Sequence, residues 1–391
     1  MIHKPIEKIE KVDIDQLIIS VIREGRAIEY KRDLSLSNAD EKRKVLAAIS
    51  SFANAGGGDV LYGVTADAGV PKDAAGIPIA DKDQLELQLT NLVRDGIEPR
   101  IIGIKTKIID GFPNGHVVLI RVPRSWNGPH VVALGDLSKF YTRTGAGKHQ
   151  MDWGEIRSAF AASAELPERI NRFRMERLAK IVAGETLSWN LDGQGRLVIH
   201  LLPLASFTPG FQIEFSKATQ QPNLLRPSAK GGGGLSYLFN IDGVIAYDGS
   251  GRGNEKVSFS YAHLFRTGCM EIVEGLYGFG QLKISLEAVE NTIVRELQRN
   301  FEILKNMNVP WPAVVAVSLV GVRGAVPDMG FSFRPPDEPV DRNELLLPDI
   351  TLEDNTGDPN EYLRPVFNTL ANAFGFRRSN RYDETGKVRA P

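Results

Sequence analysis

The stretch that decides the reading of this chain runs from Glu24 to Gly69: EGRAIEYKRDLS (24–35), then AAISSFANAGGGDVLYGVTADAG (47–69). In AIEYKRDLS, Ile28 and Tyr30 alternate with charges, the period-two pattern of a short strand. Asn38 followed at the third position by Glu41 is a capping-box pattern, so a helix begins there. Val45, Leu46, Ile49 and Phe52 fall on its buried face, and Gly56, Gly57 and Gly58 stop it. The apolar run DVLYGV (59–64) then predicts a strand, closed by the turn Ala66-Asp67-Ala68-Gly69.

Working outward, DIDQLIISVIREG places Ile14, Leu17, Ile18, Val21 and Ile22 on one helical face, with Asp13 as its expected cap and Gly25 as its end. Downstream, a helix around Leu85, Leu89, Leu92 and Val93 closes at Gly96. Strands are expected at Ile101–Ile109, His116–Val122 and Lys139–Thr144, followed by a helix capped by Asp152. This order is a mixture of helices and strands without a regular strand–helix–strand repeat. A charged, helix-compatible connector spans 165–185. Beyond it come the strand RLVIHLLPLASF, a hairpin around Asp242-Gly243, a helix carrying Leu286 to Leu304, and the strand AVVAVSLVGV. The expected organisation is therefore an α/β unit with a mixed sheet over 1–164, the connector 165–185, and a second α/β domain over 186–340. A C-terminal extension, 341–391, carries one helix and a frayed basic tail.

Composition narrows the function classes. The 391 residues are 42 % hydrophobic and 24 % charged, as in ordinary globular proteins. Lys and Arg number 47 against 48 Asp and Glu, so any polyanion must be met by a local patch and not by a global basic field. The single cysteine, Cys269, excludes a disulfide framework or a cysteine zinc site within one chain, and no histidine pair has zincin spacing. No run approaches the roughly 20 apolar residues of a membrane span. A cytoplasmic, soluble protein without membrane contact is expected, with carboxylates as the candidates for chemistry.

The decisive stretch resembles the Schlafen-type (AlbA-like) domain. The resemblance rests on Glu24, Glu29-Tyr30-Lys31, Ser51-Phe52-Ala53-Asn54 with Gly57-Gly58, and Gly63-Val64 with Asp67, and extends over about 160 residues through Arg143-Thr144-Gly145. It implies an α/β nucleic-acid-binding fold and, in characterised branches, a metal-dependent endoribonuclease that cuts tRNA or rRNA. The acidic triad of that family carries over onto Glu24, Glu29 and Asp67. Read from the residues alone, these three lie at a helix end, on a strand and past another strand's end, places from which side chains can converge. Carboxylates about 4 Å apart repel by roughly 4 kcal/mol at an effective dielectric near 20, so a converged trio shifts its pKa values or holds a cation. Mg²⁺ or Mn²⁺ would suit such oxygen ligands. Lys31, on the same strand face as Glu29, could neutralise a phosphate oxygen. Equally, Glu29 and Lys31 could be an exposed pair and Asp67 a simple turn former.

Candidates for contacts to a nucleic-acid backbone are Arg32, Arg121, Arg124, Lys139, Arg143 and Lys148, with Trp126, Phe140 and Tyr141 interleaved. The glycine run 56–58 follows a helix instead of opening one, which favours a helix stop over a phosphate cradle. His200 reads as a core histidine. The leading expectation is a divalent-metal-dependent endoribonuclease on tRNA or other structured RNA. The resemblance also suggests a role in stress response or antiphage defence, and a homodimer. The alternatives are a non-catalytic DNA- or RNA-binding transcriptional regulator whose second domain senses a ligand, and a nucleotide-binding protein.

Overall fold

Asp13, expected to cap the first helix, lies inside its first turn. Its carboxylate accepts the Glu10 N–H at 2.8 Å, and the helix α1 (Lys11–Ile19) ends well before Gly25, where Val21 takes a φ of +51°. The computed structural model describes residues 1–2, 4–208, 210–215, 225, 234–252, 255–278, 280–328 and 339–389. Two compact units result, Met1–Glu165 and Leu166–Pro391.

In the first unit β1 (Ile28–Lys31) precedes α2 (Ala39–Ala53), which Asn38 caps by accepting the Glu41 N–H at 2.9 Å, as the sequence predicts. The glycine run ends α2. Gly57 (φ +74°) donates its N–H to Phe52 O, and a Cβ there would meet backbone at 2.7 Å. Then come β2 (Gly58–Tyr62), the hairpin β3 (Thr65–Asp67) and β4 (Val70–Asp73), and α3 (Lys82–Gly96). The rest is β5 (Ile97–Glu98), β6 (Lys105–Phe112), β7 (Gly115–Val122), β8 (Val131–Leu134), β9 (Leu137–Thr144) and β10 (Gly147–Gln150).

These strands form a mixed sheet in the order β1-β2-β7-β6, parallel only between β1 and β2, and an antiparallel sheet β10-β9-β8-β5. The apolar face of α2 packs on Val60, Tyr62, Ile120 and Val122, while Ile9, Ile14, Ile28, Tyr30, Leu61 and Leu119 fill the opposite face. The α/β class is as expected. Differences are local: the strand expected at 101–109 begins at Lys105, the segment after Gly69 is paired, and β8 and β10 are strands too short for their periodicity to register.

Helix α4 (Trp153–Ala183) is continuous through the charged connector, with Pro167 inside it. Its first turn closes reciprocally, Glu155 N–H to Asp152 Oδ1 at 2.8 Å and Asp152 N–H to Glu155 Oε2 at 3.0 Å.

The second unit adds β11 (Asn190–Leu191), β12 (Gly195–Pro203), β13 (Gly234–Phe239), β14 (Gly243–Arg252), β15 (Glu255–Phe265), β16 (Met270–Leu276), β17 (Lys283–Ile284) and α5 (Leu286–Asn306). After these come β18 (Ala313–Val320), β19 (Val326–Pro327), β20 (Glu344–Leu346), β21 (Ile350–Leu352), α6 (Pro359–Tyr362) and α7 (Arg364–Ala373). The main sheet runs β13-β14-β15-β16-β12-β18-β20. One face, with Leu197, Ile199 and Leu201, buries against Ile293, Leu297 and Phe301 of α5, so that helix's stripe is core. On the other face Leu178 and Ile181 of α4 meet Val198, Tyr261 and Val273.

Across that second face, His263, Glu271 and His200 stand directly opposite one another on β15, β16 and β12. Arg177 of α4 donates to both Glu271 oxygens, at 2.9 and 2.8 Å, and Tyr261 Oη adds a third bond at 2.8 Å. His200 is the core histidine expected, its Nε2 lying 3.0 Å from Glu271. As far as Arg389 the C-terminal segment packs on the second unit instead of fraying: Tyr382 is buried and donates to Asn360 O at 2.6 Å, and Ser379 donates to the buried Glu290 at 2.7 Å. Arg381 of the basic end binds Asn360 and Asn291.

Candidate nucleic-acid interface

Glu29 points into the interior of the first unit although it sits on a strand whose pattern placed it outward. Burial alone would raise its pKa. The ammonium of Lys31 at 2.7 Å, the guanidinium of Arg143 at 2.9 Å and nearby Lys148 outweigh that and hold the carboxyl below its usual range. Arg143 is itself stacked over the Phe52 ring, 3.6 Å from its centroid. Gly58 allows this approach: a Cβ there would lie 2.3 Å from the same ring. Asn54, at the end of α2, donates to His130 O and Tyr141 O at 2.9 Å each and accepts the His130 N–H at 2.7 Å. It thereby ties the helix to the sheet that carries Arg143.

Around this pair lies a cavity of 480 Å³. Arg23, Glu24 and Gly25 form one wall, Glu29 and Lys31 of β1 the floor, Ala68 and Gly69 of the β3–β4 turn another wall, and Arg143, Gly145–Gly147 and Lys148 the last. Arg143 and Lys148 are directly opposite across the β9–β10 ladder. Four cationic side chains thus face two carboxylates, a local excess of two positive charges in a chain of net charge -1. Burial and the neighbouring Lys31 and Arg143 push the Lys148 pKa down, with Glu29 opposing.

Of the expected residues, Glu24, Glu29, Lys31, Arg143 and Lys148 come together here. Glu24 Oε1 accepts the Tyr30 N–H at 2.7 Å, which fixes it beside β1. Asp67 does not join them. It is exposed at the end of β3, next to a turn in which Ala68 and Gly69 both take positive φ, and it is not among the cavity-lining residues. Among the described residues no three His, Cys, Asp or Glu side chains form a group that could hold a metal ion. The three-carboxylate cage is therefore not formed in this structure. Two carboxylates share the cavity, and one of them is already paired with cations.

The remaining basic candidates lie elsewhere. Arg121 is committed to structure: it binds Asp59 at 2.8 and 3.0 Å and the carbonyls of Lys4 and Ile2, because Asp59 stands opposite it on β2. Arg32 pairs with Asp33 at the surface, Arg124 stacks on Trp126 at 4.0 Å, and Lys139 faces β8 opposite Val132. Arg23 is a cavity residue that the sequence reading passed over, and the Gly145–Gly147 turn, read there only as part of the resemblance, lines the cavity as well. Arg23 borders Glu24, and the glycines adjoin Arg143 and Lys148, but nothing in their spacing marks a shared cavity.

No curated protein matches this chain. Among solved structures it is similar to the DIP2311 protein from Corynebacterium diphtheriae, at 14 % identity and a TM-score of 0.26, covering 38 % of this chain and 27 % of that one. It is also similar to the N-terminal domain of an ATP-dependent DNA helicase RecG-related protein from Nitrosomonas europaea, at 18 % identity and a TM-score of 0.25, covering 34 % and 84 %. The chain thus spans about a quarter of the first of these and most of the second. Residues 24–152, which hold the whole cavity wall except Arg23, match the family described as Schlafen, AlbA_2, so the chain carries a Schlafen AlbA_2 domain in its first unit.

Proposed function

We propose that the first unit binds RNA by seating a backbone phosphate in the 480 Å³ cavity, where cations outnumber carboxylates four to two. That excess is the observation that carries the reading. An anion entering the cavity would be met by Arg143 and Lys148 from one ladder and by Lys31 from the facing strand. Glu29 keeps Lys31 and Arg143 oriented before the anion arrives, so little side-chain ordering is left to the binding event. The match to the Schlafen, AlbA_2 family supports the nucleic acid as partner.

A second, finer reading is favoured by the presence of both Glu24 and Glu29 in that cavity: a divalent-metal-dependent endoribonuclease acting on tRNA or another structured RNA. Mg²⁺ commonly uses one or two carboxylates and completes its shell with waters and substrate phosphates, so Glu24 and a bound phosphate, joined by Glu29 as the phosphate draws Lys31 and Arg143 away from it, would make a workable donor set. When bound, such an ion would supply a nucleophilic hydroxide and stabilise the charge developing on the phosphate. Glu24 and Glu29 would hold it and Lys31 would stay on the phosphate.

The test is to titrate the full chain into a labelled tRNA pool, then add Mn²⁺ with and without EDTA. Saturable binding weakened by Lys148→Ala, with EDTA-sensitive cutting lost in Glu29→Gln, supports both readings. Binding without cutting leaves a non-catalytic nucleic-acid-binding regulator. Absence of binding overturns the proposal.

A further inference from the structure

Helix α4 presents a solvent-facing aromatic stripe that neither core uses. Trp153 is 85 % exposed and Phe160 is 51 % exposed, and the exposed Arg157 lies between them. Spacings of four and three residues put all three on one face of the helix within two turns. A single exposed aromatic needs no partner, but two of them with a planar guanidinium between, on one helix face, make a continuous patch of the kind that binds one.

The position is fixed. The reciprocal Asp152–Glu155 bonds close the first turn, Glu155 also holds His149 of β10 at 2.9 Å, and Met151 N–H binds Phe140 O at 2.9 Å. Phe160 rests edge-on against Phe140 of β9, their ring centroids 5.9 Å apart at 76°. Phe140 and His149 alternate with Arg143 and Lys148 on the same two strands, so the helix packs on the side of the β9–β10 hairpin turned away from the cavity. Lys148 in the cavity and Trp153 on the stripe are five residues apart. Five residues of chain span at most about 18 Å, which bounds the separation of these two positions on the two sides of the hairpin.

Resting on the RNA-binding reading, we propose that Trp153, Arg157 and Phe160 form a stacking platform for unpaired bases, so that the partner is a single-stranded loop or tail and not a continuous duplex. The two aromatic faces accept bases of any sequence, and the guanidinium between them adds a planar cation that stacks on a base or pairs with a phosphate. A base locked in a helix offers its face to neither ring. The charge excess of the cavity on the other side of the same hairpin, together with Arg157 in the stripe itself, favours a polyanion over an apolar protein surface as the partner.

The test measures binding of the full chain to a labelled single-stranded RNA of about 12 nucleotides, within the range of known single-strand sites, and to a duplex of the same length. Trp153→Ala is expected to weaken the single strand roughly 5- to 150-fold, the range one lost stacked base covers, and to leave the duplex unchanged, while Trp153→Phe restores most of the loss. Unchanged single-strand affinity in Trp153→Ala overturns the platform. If Lys148→Ala still weakens binding in that case, the cavity reading survives alone. If the wild-type chain binds neither RNA, and Trp153→Ala lowers its self-association in sedimentation, the stripe belongs to a second copy of the chain and both readings fall.

Discussion

Glu29 and Arg143 are 114 residues apart in the chain and form an ion pair of 2.9 Å in which both side chains are buried. Glu29 belongs to the sheet β1-β2-β7-β6 and Arg143 to the sheet β10-β9-β8-β5, so this interaction joins the two sheets of the first unit and ties the floor of its cavity to one wall. Removing one partner of a buried pair leaves an uncompensated charge, at a cost of about 3–5 kcal/mol. Lys31 remains beside Glu29, so Arg143→Met is expected at the lower end, about 3 kcal/mol, read as a fall in the urea midpoint. Adding Glu29→Gln to that variant should return part of the loss. An unchanged midpoint in the single variant contradicts this role.

Lys148 and Arg121 are both basic strand residues, and they should behave differently. Lys148 faces the cavity, whereas Arg121 is consumed by Asp59 and two carbonyls. Lys148→Ala should lower the slope of log affinity against log salt by about 1 for RNA, the signature of one lost phosphate contact. Arg121→Ala should leave that slope intact and lower thermal stability. Equal changes in slope would show that the cavity has been misplaced.

Asp67 and Glu24 separate the two-carboxylate site from the three-carboxylate one. If Mn²⁺-dependent cutting is observed, Glu24→Gln should reduce it by about 10³-fold, the kinetic equivalent of several kcal/mol of lost charge stabilisation. Asp67→Asn, outside the cavity, should retain most of the rate. A comparable collapse in Asp67→Asn would mean that the β3–β4 turn closes over the cavity when RNA and metal bind.

His263 gives the second unit an acid limb. Burial lowers its pKa to about 4; Glu271 and Asp242 oppose this and Arg177 adds to it, while neither ring nitrogen has a hydrogen-bond partner among the described residues. The folded state therefore keeps the imidazole neutral where the unfolded chain, with an ordinary histidine pKa near 6.5, takes up a proton. Stability should fall as pH drops from about 6.5 to about 4 and level off below, by on the order of 3 kcal/mol for this group. Urea unfolding of His263→Phe across that range should show a flatter limb; an identical profile would count against it.

Glu290 tilts the opposite way. Burial raises its carboxyl to about 7, despite the Ser379 hydrogen bond and Arg381. A folded-state pKa above the unfolded one gives stability that is complete below about 4.5 and is lost as pH rises through 7. Glu290→Gln should therefore gain stability relative to wild type at pH 8 and little at pH 4.5. Thermal melts at both values decide it, and a gain confined to acid would reverse the assignment.

Much of the scaffold was legible because its signals are local. Asn38 and Glu41 cap α2 and the glycine run ends it through contacts within a few residues of each signal, and the stripe from Val289 to Leu304 shows its helical period locally although the strand that buries it, at Leu197 and Ile199, lies far back in the chain. Asp13 misled because an acid in the first turn looks the same as an acid at the cap; the connector 165–185 is helical as expected, but its continuity with the helix before it, and the inward turn of Arg174 and Arg177, were concealed by its charged surface. The tail looked frayed because the partners that bury Tyr382 and Ser379 are far back in the chain.

The order of residues by itself determined the elements, the mixed α/β class and the segment where the cavity lies, since helix and strand periods and turn residues act over single turns. Only the tertiary structure decided which charges meet. Ion pairing across strands depends on which strand lies alongside, a property of sheet order that no spacing along the chain encodes. Hence Arg143 came to Glu29, Arg121 went to Asp59, and Asp67 stayed outside on its hairpin.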